Sequence, residues 1–314
     1  MTGSVKAHMK QAVPSLVIML LMVMAASFAS SRFFTAANLR NVLTQTAVLA
    51  IVSVAQCTVL FVGGIDMSVS SVISMSTICI AMFSGDSLGG LLLGIVLAMA
   101  AGGLTGLVNG IGVSRFRIPA MIITISTQAF LKGICLILMP SSGGKVNQGF
   151  VRLIKTKWGI FSVAFLLTAV LYLLFYVLFH YTRFGRKVYA MGNGELYASQ
   201  SGIDTKKMTV LVYAISGMIS AFAGIILSAR ISSGNPLVGD SYAMDSVAAA
   251  VIGGVSMNGG IGSVAGALCG AVILSLINNI MNNLGISPYY QYIIKGLLLM
   301  FSMMLFQLKR RKTV

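Results

Sequence analysis

The chain is 314 residues long, 57% hydrophobic and only 9% charged, with a mean hydropathy of +0.93. Soluble domains carry about 25% charged residues, so a water-exposed globular fold is excluded and an all-α polytopic membrane protein is expected. The net charge of +16 lies in short connections and at the termini rather than on one face, which suits anionic headgroups and argues against nucleic acid as a partner.

About ten transmembrane helices, some broken or re-entrant, are predicted, since roughly 20 apolar residues cross a hydrocarbon core. Lys6 and Lys10 precede an apolar run over 13–29. Its end, Ala-Ser-Phe-Ala-Ser-Ser, has the form of a signal-peptide cleavage site, but further spans follow rather than a soluble domain, so an uncleaved helix is expected. A second helix is predicted over 41–61. Then comes Val62-Gly63-Gly64-Ile65-Asp66-Met67-Ser68, which carries one of only six acidic residues between two apolar runs. A carboxylate there needs a partner or cavity water, and the Gly pair lets the helix break. Asp66, with Ser68, is open to three roles: N-cap of a third helix over 67–84, substrate contact, or proton or ion site. After the turn Ser84-Gly85-Asp86-Ser87, helix four spans 88–113, and Gly102, Gly103, Gly106 and Gly110 give it a face for close packing in lipid. Pro119 sits in the first turn of helix five, 118–139. The connection 140–158 is polar, and helix six runs over 159–182.

The longest hydrophilic segment is 183–208. Within it, residues 195–201 fit two short helical turns closed by Gly202, with Leu196, Ala198 and Ser199 in reach of a partner. Helix seven is predicted over 209–229, followed by a polar connection ending at Asp245. Segment 246–260, with Gly253 and Gly254, is too short and glycine-rich for an ordinary span and reads as a half-helix or re-entrant piece. Helices over 262–283 and 289–308 precede Lys309-Arg310-Arg311-Lys312. Lys132 and Lys295 lie within apolar spans, where either can pair with Asp66 or Asp245. On this topology the basic residues favour the cytoplasmic side by thirteen to seven, which puts both termini inside. Cys57, Cys79, Cys135 and Cys269 show no disulfide or metal-ligand spacing. There is no phosphate-binding loop, and His8 and His180 build no triad or zinc set, so no catalytic residue, metal or cofactor is assigned to this chain and no enzyme activity is expected.

Four phrases in order resemble the permease subunits of ribose-type ABC sugar importers: Gly-Gly-Ile-Asp66-Met-Ser-Val; Tyr189-Ala-Met-Gly-Asn-Gly-Glu195 through Ser201-Gly202-Ile203; Asp245-Ser-Val-Ala-Ala-Ala-Val-Ile-Gly253-Gly254; and Gly259-Gly260 through Gly266. The similarity runs from about Phe33 to Leu308, and Asn278-Asn279 and Ser287-Pro-Tyr289-Tyr290-Gln291 look like the ribose branch. The resemblance implies one transmembrane permease domain over 1–314 in a bacterial cytoplasmic (inner) membrane, dimeric with a second copy or paralogue. It implies a cytoplasmic ATPase subunit holding ATP and Mg, and an extracytoplasmic sugar-binding protein. It places a translocation pathway near Gly63, Gly64, Asp66, Ser68, Asp245, Gly253 and Gly254. In the cytoplasmic loop 183–208 it places an ATPase-coupling helix at Gly194, Glu195, Leu196, Tyr197, Ala198, Ser199, Ser201, Gly202 and Ile203. Two departures stand out. Ser70 stands where the family usually has Gly, and Gly192-Asn193-Gly194-Glu195 replaces the usual Gly-Gly-Asn-Glu. The expected function is import of a ribose-like pentose or related monosaccharide by alternating access. The alternatives are an ion-coupled secondary transporter using Asp66 or Asp245, and a passive channel.

Overall fold

The structure is a computed structural model, described at residues 16, 17, 19–24, 34–159 and 161–311. It is helical apart from one antiparallel pair of two-residue strands, β1 (Lys157–Trp158) and β2 (Phe161–Ser162), among the described residues. Of the predicted first span, residues 16, 17 and 19–24 are helical. Lys6, Lys10 and the small-residue pattern after Met24 lie outside the described residues.

Helix α1 (Ala36–Leu60) begins five residues earlier than predicted, because Thr35 caps it by accepting the Asn38 N–H at 3.3 Å. Helix α2 (Val69–Phe83) is short, α3 spans Leu88–Ser114, and α4 spans Ala120–Leu138. The connection read as loop over 140–158 holds a helix of its own, α5 (Gln148–Lys155), which Asn147 caps at 3.1 Å and which buries Val151 and Ile154. Helix α6 covers Val163–Tyr181. The hydrophilic segment folds into α7 (Arg183–Asn193) and α8 (Glu195–Gln200). Helix α9 (Thr205–Ile231) then starts four residues before its predicted 209, because Asp204 accepts the Lys207 N–H at 3.0 Å. Helix α10 (Asp240–Ile252) is a half-length helix that begins before 246, and 253–263 is irregular; α11 (Val264–Asn283) and α12 (Pro288–Arg311) complete the chain.

Among the described residues, α1, α3, α4, α6, α9 and α11 are long and apolar enough to cross a membrane. Helices α1, α9 and α11 form the centre, whereas α3, α4 and α6 present exposed apolar side chains such as Leu104, Phe130, Ile137 and Leu173. That arrangement suits a molecule whose periphery meets acyl chains rather than water. The glycine face of α3 packs on α9 as predicted. A Cβ at Gly106 would overlap the Tyr213 carbonyl oxygen, and one at Gly110 would stand 2.6 Å from the Val210 Cα. Such backbone approach is how helices associate where lipid is as apolar as leucine.

The C-terminal ends of α1 and α6 gather at one end of the bundle with α7 and the loop 258–262. At the opposite end Gly143 and Gly234 exchange backbone hydrogen bonds at 3.0 and 2.8 Å, and the Lys145 N–H donates to the Ala81 carbonyl at 3.0 Å.

Candidate functional site

After α1 ends and turns at 61–63, residues 64–67 have no regular structure before α2 begins, and Asp66 among them is buried. Ser68, not Asp66, occupies the N-cap position of α2. Asp66 is fully buried, and its side chain binds three donors. Its Oδ1 accepts the Ser68 N–H at 3.0 Å and the Ser68 hydroxyl at 2.6 Å, and its Oδ2 accepts the Ser216 hydroxyl at 2.9 Å. Asn109 Nδ2 donates to Ser68 Oγ at 2.8 Å, and the Thr127 hydroxyl donates to Asn109 Oδ1 at 2.7 Å. The Gln56 amide, in the orientation that satisfies both its groups, donates to the Asp66 carbonyl at 2.9 Å and accepts its N–H at 3.2 Å. The Asp66 carboxylate ties α9 to the break between α1 and α2, its main chain holds Gln56 of α1, and Ser68 carries the network on to α3 and α4. Among the described residues no cation pairs with it: Lys132 pairs with Asp240 at 2.6 Å and Lys295 with Asp245 at 2.8 Å. Of the pairings left open from sequence, only Lys295 with Asp245 is formed. Ser70 is accommodated where a glycine was usual, buried with its hydroxyl donating to the Met67 carbonyl at 3.2 Å.

The two glycine-rich breaks meet, although not through Gly253 and Gly254 themselves. A Cβ at Gly63 would stand 3.3 Å from the Asn258 carbonyl oxygen, and the Gly260 N–H donates to the Phe61 carbonyl at 3.0 Å. Gly253 instead packs against Gly266 within the α10–α11 pair. Helix α7 lies over the junction. A side chain at Gly192 would collide with both the Phe61 carbonyl oxygen and the Gly260 nitrogen, so only glycine fits. The Tyr189 hydroxyl donates to the Gly262 carbonyl at 3.0 Å, and burial pushes that phenol up, keeping it a neutral donor.

Helix α8 follows. Gly202, at φ +79°, closes it: the Gly202 N–H donates to the Ser199 carbonyl at 3.0 Å and the Ile203 N–H to the Ala198 carbonyl at 3.1 Å. These paired bonds satisfy two carbonyls that a helix end otherwise leaves orphaned. Leu196 and Tyr197 point outward at 68% and 72% exposure, whereas Ala198, predicted to be in reach of a partner, is turned inward and buried. Glu195, Leu196 and Ser199 share a cavity of about 620 Å³ with Gly63, Gly64, Arg117 and Tyr213. Residues at the first break and on the short helix therefore face one space.

Asp245 belongs to a different region. Its ion pair with Lys295 borders a cavity of about 190 Å³ lined also by Gln45, Ser241, Tyr242, Ser275, Asn278, Gln291 and Tyr292. Gln45 also lines a second cavity of about 520 Å³, which holds Asn38, Asn41, Asn279, Asn282 and Asn283 beside Lys155, Lys157 and Arg230. Across it, Asn38 Nδ2 donates to Asn279 Oδ1 at 3.2 Å and Asn279 Nδ2 donates to Asn38 Oδ1 at 2.8 Å, joining α1 to α11. Ser216, Asn109, Gln45 and Ser275 were not singled out from sequence. The signal that existed was the density of amides in otherwise apolar runs, Asn41 with Gln45 and Asn278 with Asn282 at helical spacing.

The family model described as "Branched-chain amino acid transport system / permease component" matches residues 38–303. The chain is 35% identical over 298 residues to a ribose import permease of Escherichia coli (strain K12), covering 92% of each chain. It is 31% identical over 290 residues to the ribose import permease of Bacillus subtilis, covering 91% of this chain and 89% of that one. It is 30% identical over 314 residues to a galactose/methyl galactoside import permease of Salmonella typhimurium, covering 93% of each. No solved structure matches it. Matched over most of its length by that family and by these sugar import permeases, the chain is a multi-pass membrane protein that belongs to the permeases of ribose-type ABC importers.

Proposed function

We propose that this chain is the membrane-spanning subunit of an ATP-driven importer that moves a monosaccharide, a ribose-like pentose or a related sugar, by alternating access. A separate cytoplasmic ATPase supplies ATP and Mg, an extracytoplasmic binding protein delivers the sugar, and a second copy or paralogue completes the pore. The end carrying α7 and α8 faces the cytoplasm of a bacterial cell, with both termini on that side. The chain crosses the inner membrane about ten times as a single domain over 1–314. The chain itself carries no catalytic step.

The observation that supports this most is the placement of α8. A six-residue helix is anchored at its C-terminal end by Gly202 and at its inner face by Ala198, and offers Leu196 and Tyr197 to solvent. An apolar pair held rigidly at the edge of a membrane protein suits a soluble partner that pushes. Its backing helix, α7, touches both glycine-rich breaks, so a displacement there reaches both halves of the chain. A sugar is favoured over the branched-chain amino acid of the family's description because the cavity at Asp245 is lined by amides, hydroxyls and a closed ion pair. Leu49 is the one aliphatic side chain on that lining, beside the rings of Tyr242 and Tyr292, so polar groups outnumber aliphatic ones around a guest.

The test is a cysteine at Tyr197 in the assembled transporter, with labelled ribose and galactose uptake measured in proteoliposomes. Cross-linking of that cysteine to the ATPase and uptake that needs ATP are expected. Uptake by the lone chain under a proton gradient would overturn the proposal in favour of secondary transport, and downhill flux without any partner would favour a channel.

A further inference from the structure

The cavity beside the Asp245–Lys295 pair contains an imbalance. Ser275 and Asn278 line it, and both side chains are over nine-tenths buried, yet Ser275 Oγ and Asn278 Oδ1 have no hydrogen-bond partner. Buried polar atoms are nearly always paired, and each exception calls for a reason. Around Asp66 the direct partners bond onward, with Asp66, Ser68, Asn109 and Thr127 closing on one another. Single unpaired hydroxyls also occur at Thr46, Ser114 and Tyr213, but Ser275 and Asn278 differ in lining one cavity together. Ser275 and Asn278 sit one turn apart on α11 and line the same space as the ion pair.

We infer that this cavity is a transit site for the sugar inside the membrane, where its hydroxyl groups complete the unfilled hydrogen bonds of Ser275 and Asn278. The inference rests on the importer proposed above and names the residues that would touch its cargo. Three features fit a neutral polyol. Asp245 and Lys295 already neutralise each other at 2.8 Å, so a guest need bring no charge, and the carboxylate accepts from sugar hydroxyls while the ammonium donates to them. Lys295 Nζ lies over the Tyr292 ring, 5.9 Å from its centre, and both residues line the same space, which puts an aromatic side chain within reach of the C–H groups of a sugar. The volume of about 190 Å³ lies below the roughly 300 Å³ at which pockets for drug-sized ligands begin, which limits the guest to something as small as one sugar ring. Gln45 lines both this cavity and the amide-lined one, so the two lie side by side. Incomplete pairing in the empty site also suits transit, because binding must be weak enough for the sugar to leave.

Ser275→Ala and Asn278→Leu in the complete transporter test this in proteoliposomes with labelled ribose and galactose. ATP-driven uptake is expected to fall roughly tenfold, while the thermal midpoint of the purified variants stays equal to the parent's or rises, because each change removes an unpaired buried atom. A purely structural role would lower the midpoint instead. Uptake that stays within about twofold of the parent would overturn the inference. A second readout needs no uptake. Ser241→Cys, on the half-exposed part of the same lining in a chain whose four native cysteines are buried, should react with a hydrophilic thiol reagent several-fold more slowly in ribose or galactose than in glycine betaine at equal osmolarity. Equal rates would count against the site. If the parent transporter itself moves neither sugar, the importer proposal fails and this inference falls with it. If the parent works and the variants are unaffected, only the transit site is lost.

Discussion

Two carboxylates buried in the same bundle have opposite surroundings. Asp66 has no exposure, two bonds from Ser68, one from Ser216, and a ring of amides and hydroxyls closed behind them. Asp245 keeps 12% of its side chain accessible, holds one cation, and stands beside hydroxyl and amide atoms with nothing to bond. The contrast teaches that an ionisable residue at membrane depth is not by itself a sign of a pathway. What distinguishes the two is that the groups bonded to Asp66 are bonded onward within the bundle, whereas Asp245 borders a cavity.

Asp66→Ala should be the most damaging change in the molecule. It strands the Ser68 N–H and two hydroxyls in a dry interior, and at about 1–3 kcal/mol for each orphaned group the loss is on the order of 5 kcal/mol. Thermal unfolding in detergent, with membrane yield alongside, measures it; a midpoint close to the parent's would erase the distinction between the two sites. Lys295→Met comes next. Breaking a buried pair costs about 3–5 kcal/mol, and the cavity beside Asp245 brings the expected figure to about 3 kcal/mol. The double variant Asp245→Leu with Lys295→Met should recover most of that stability without recovering sugar uptake, which separates folding from transport at this pair. Lys132→Met should do least. Its partner Asp240 and Lys132 itself keep 41% and 33% of their side chains exposed, so the pair is worth less than about 1 kcal/mol. A large loss there would mean that exposure in the isolated chain misrepresents the assembled transporter.

Much of this was legible from sequence, and the limits follow from range. Turn chemistry is local, so Gly202 announced the end of α8 and the Gly63-Gly64 pair announced the break before Asp66. Thr35 and Asn147 are equally local signals for the starts of α1 and α5, but each lies in a polar stretch outside the apolar run, where hydropathy does not mark a helix. The partners of Asp66 were out of reach: Asn109 and Ser216 come from helices whose register is set by glycine contacts between α3 and α9. The inward turn of Ala198 depends on how a six-residue helix rotates, and so short a segment carries too few positions to show a buried face. Lys132 pointed to Asp240 rather than Asp245 because α10 begins earlier than its glycine content suggested.

Gly192 leaves no clearance between the Phe61 carbonyl and the backbone at Gly260. A joint without slack cannot absorb a push; whatever moves α7 must shift the first and the last third of the chain in the same instant. Synchrony of the two glycine-rich breaks would then be a matter of one missing methyl group, and a side chain wedged into that seam would put them out of step.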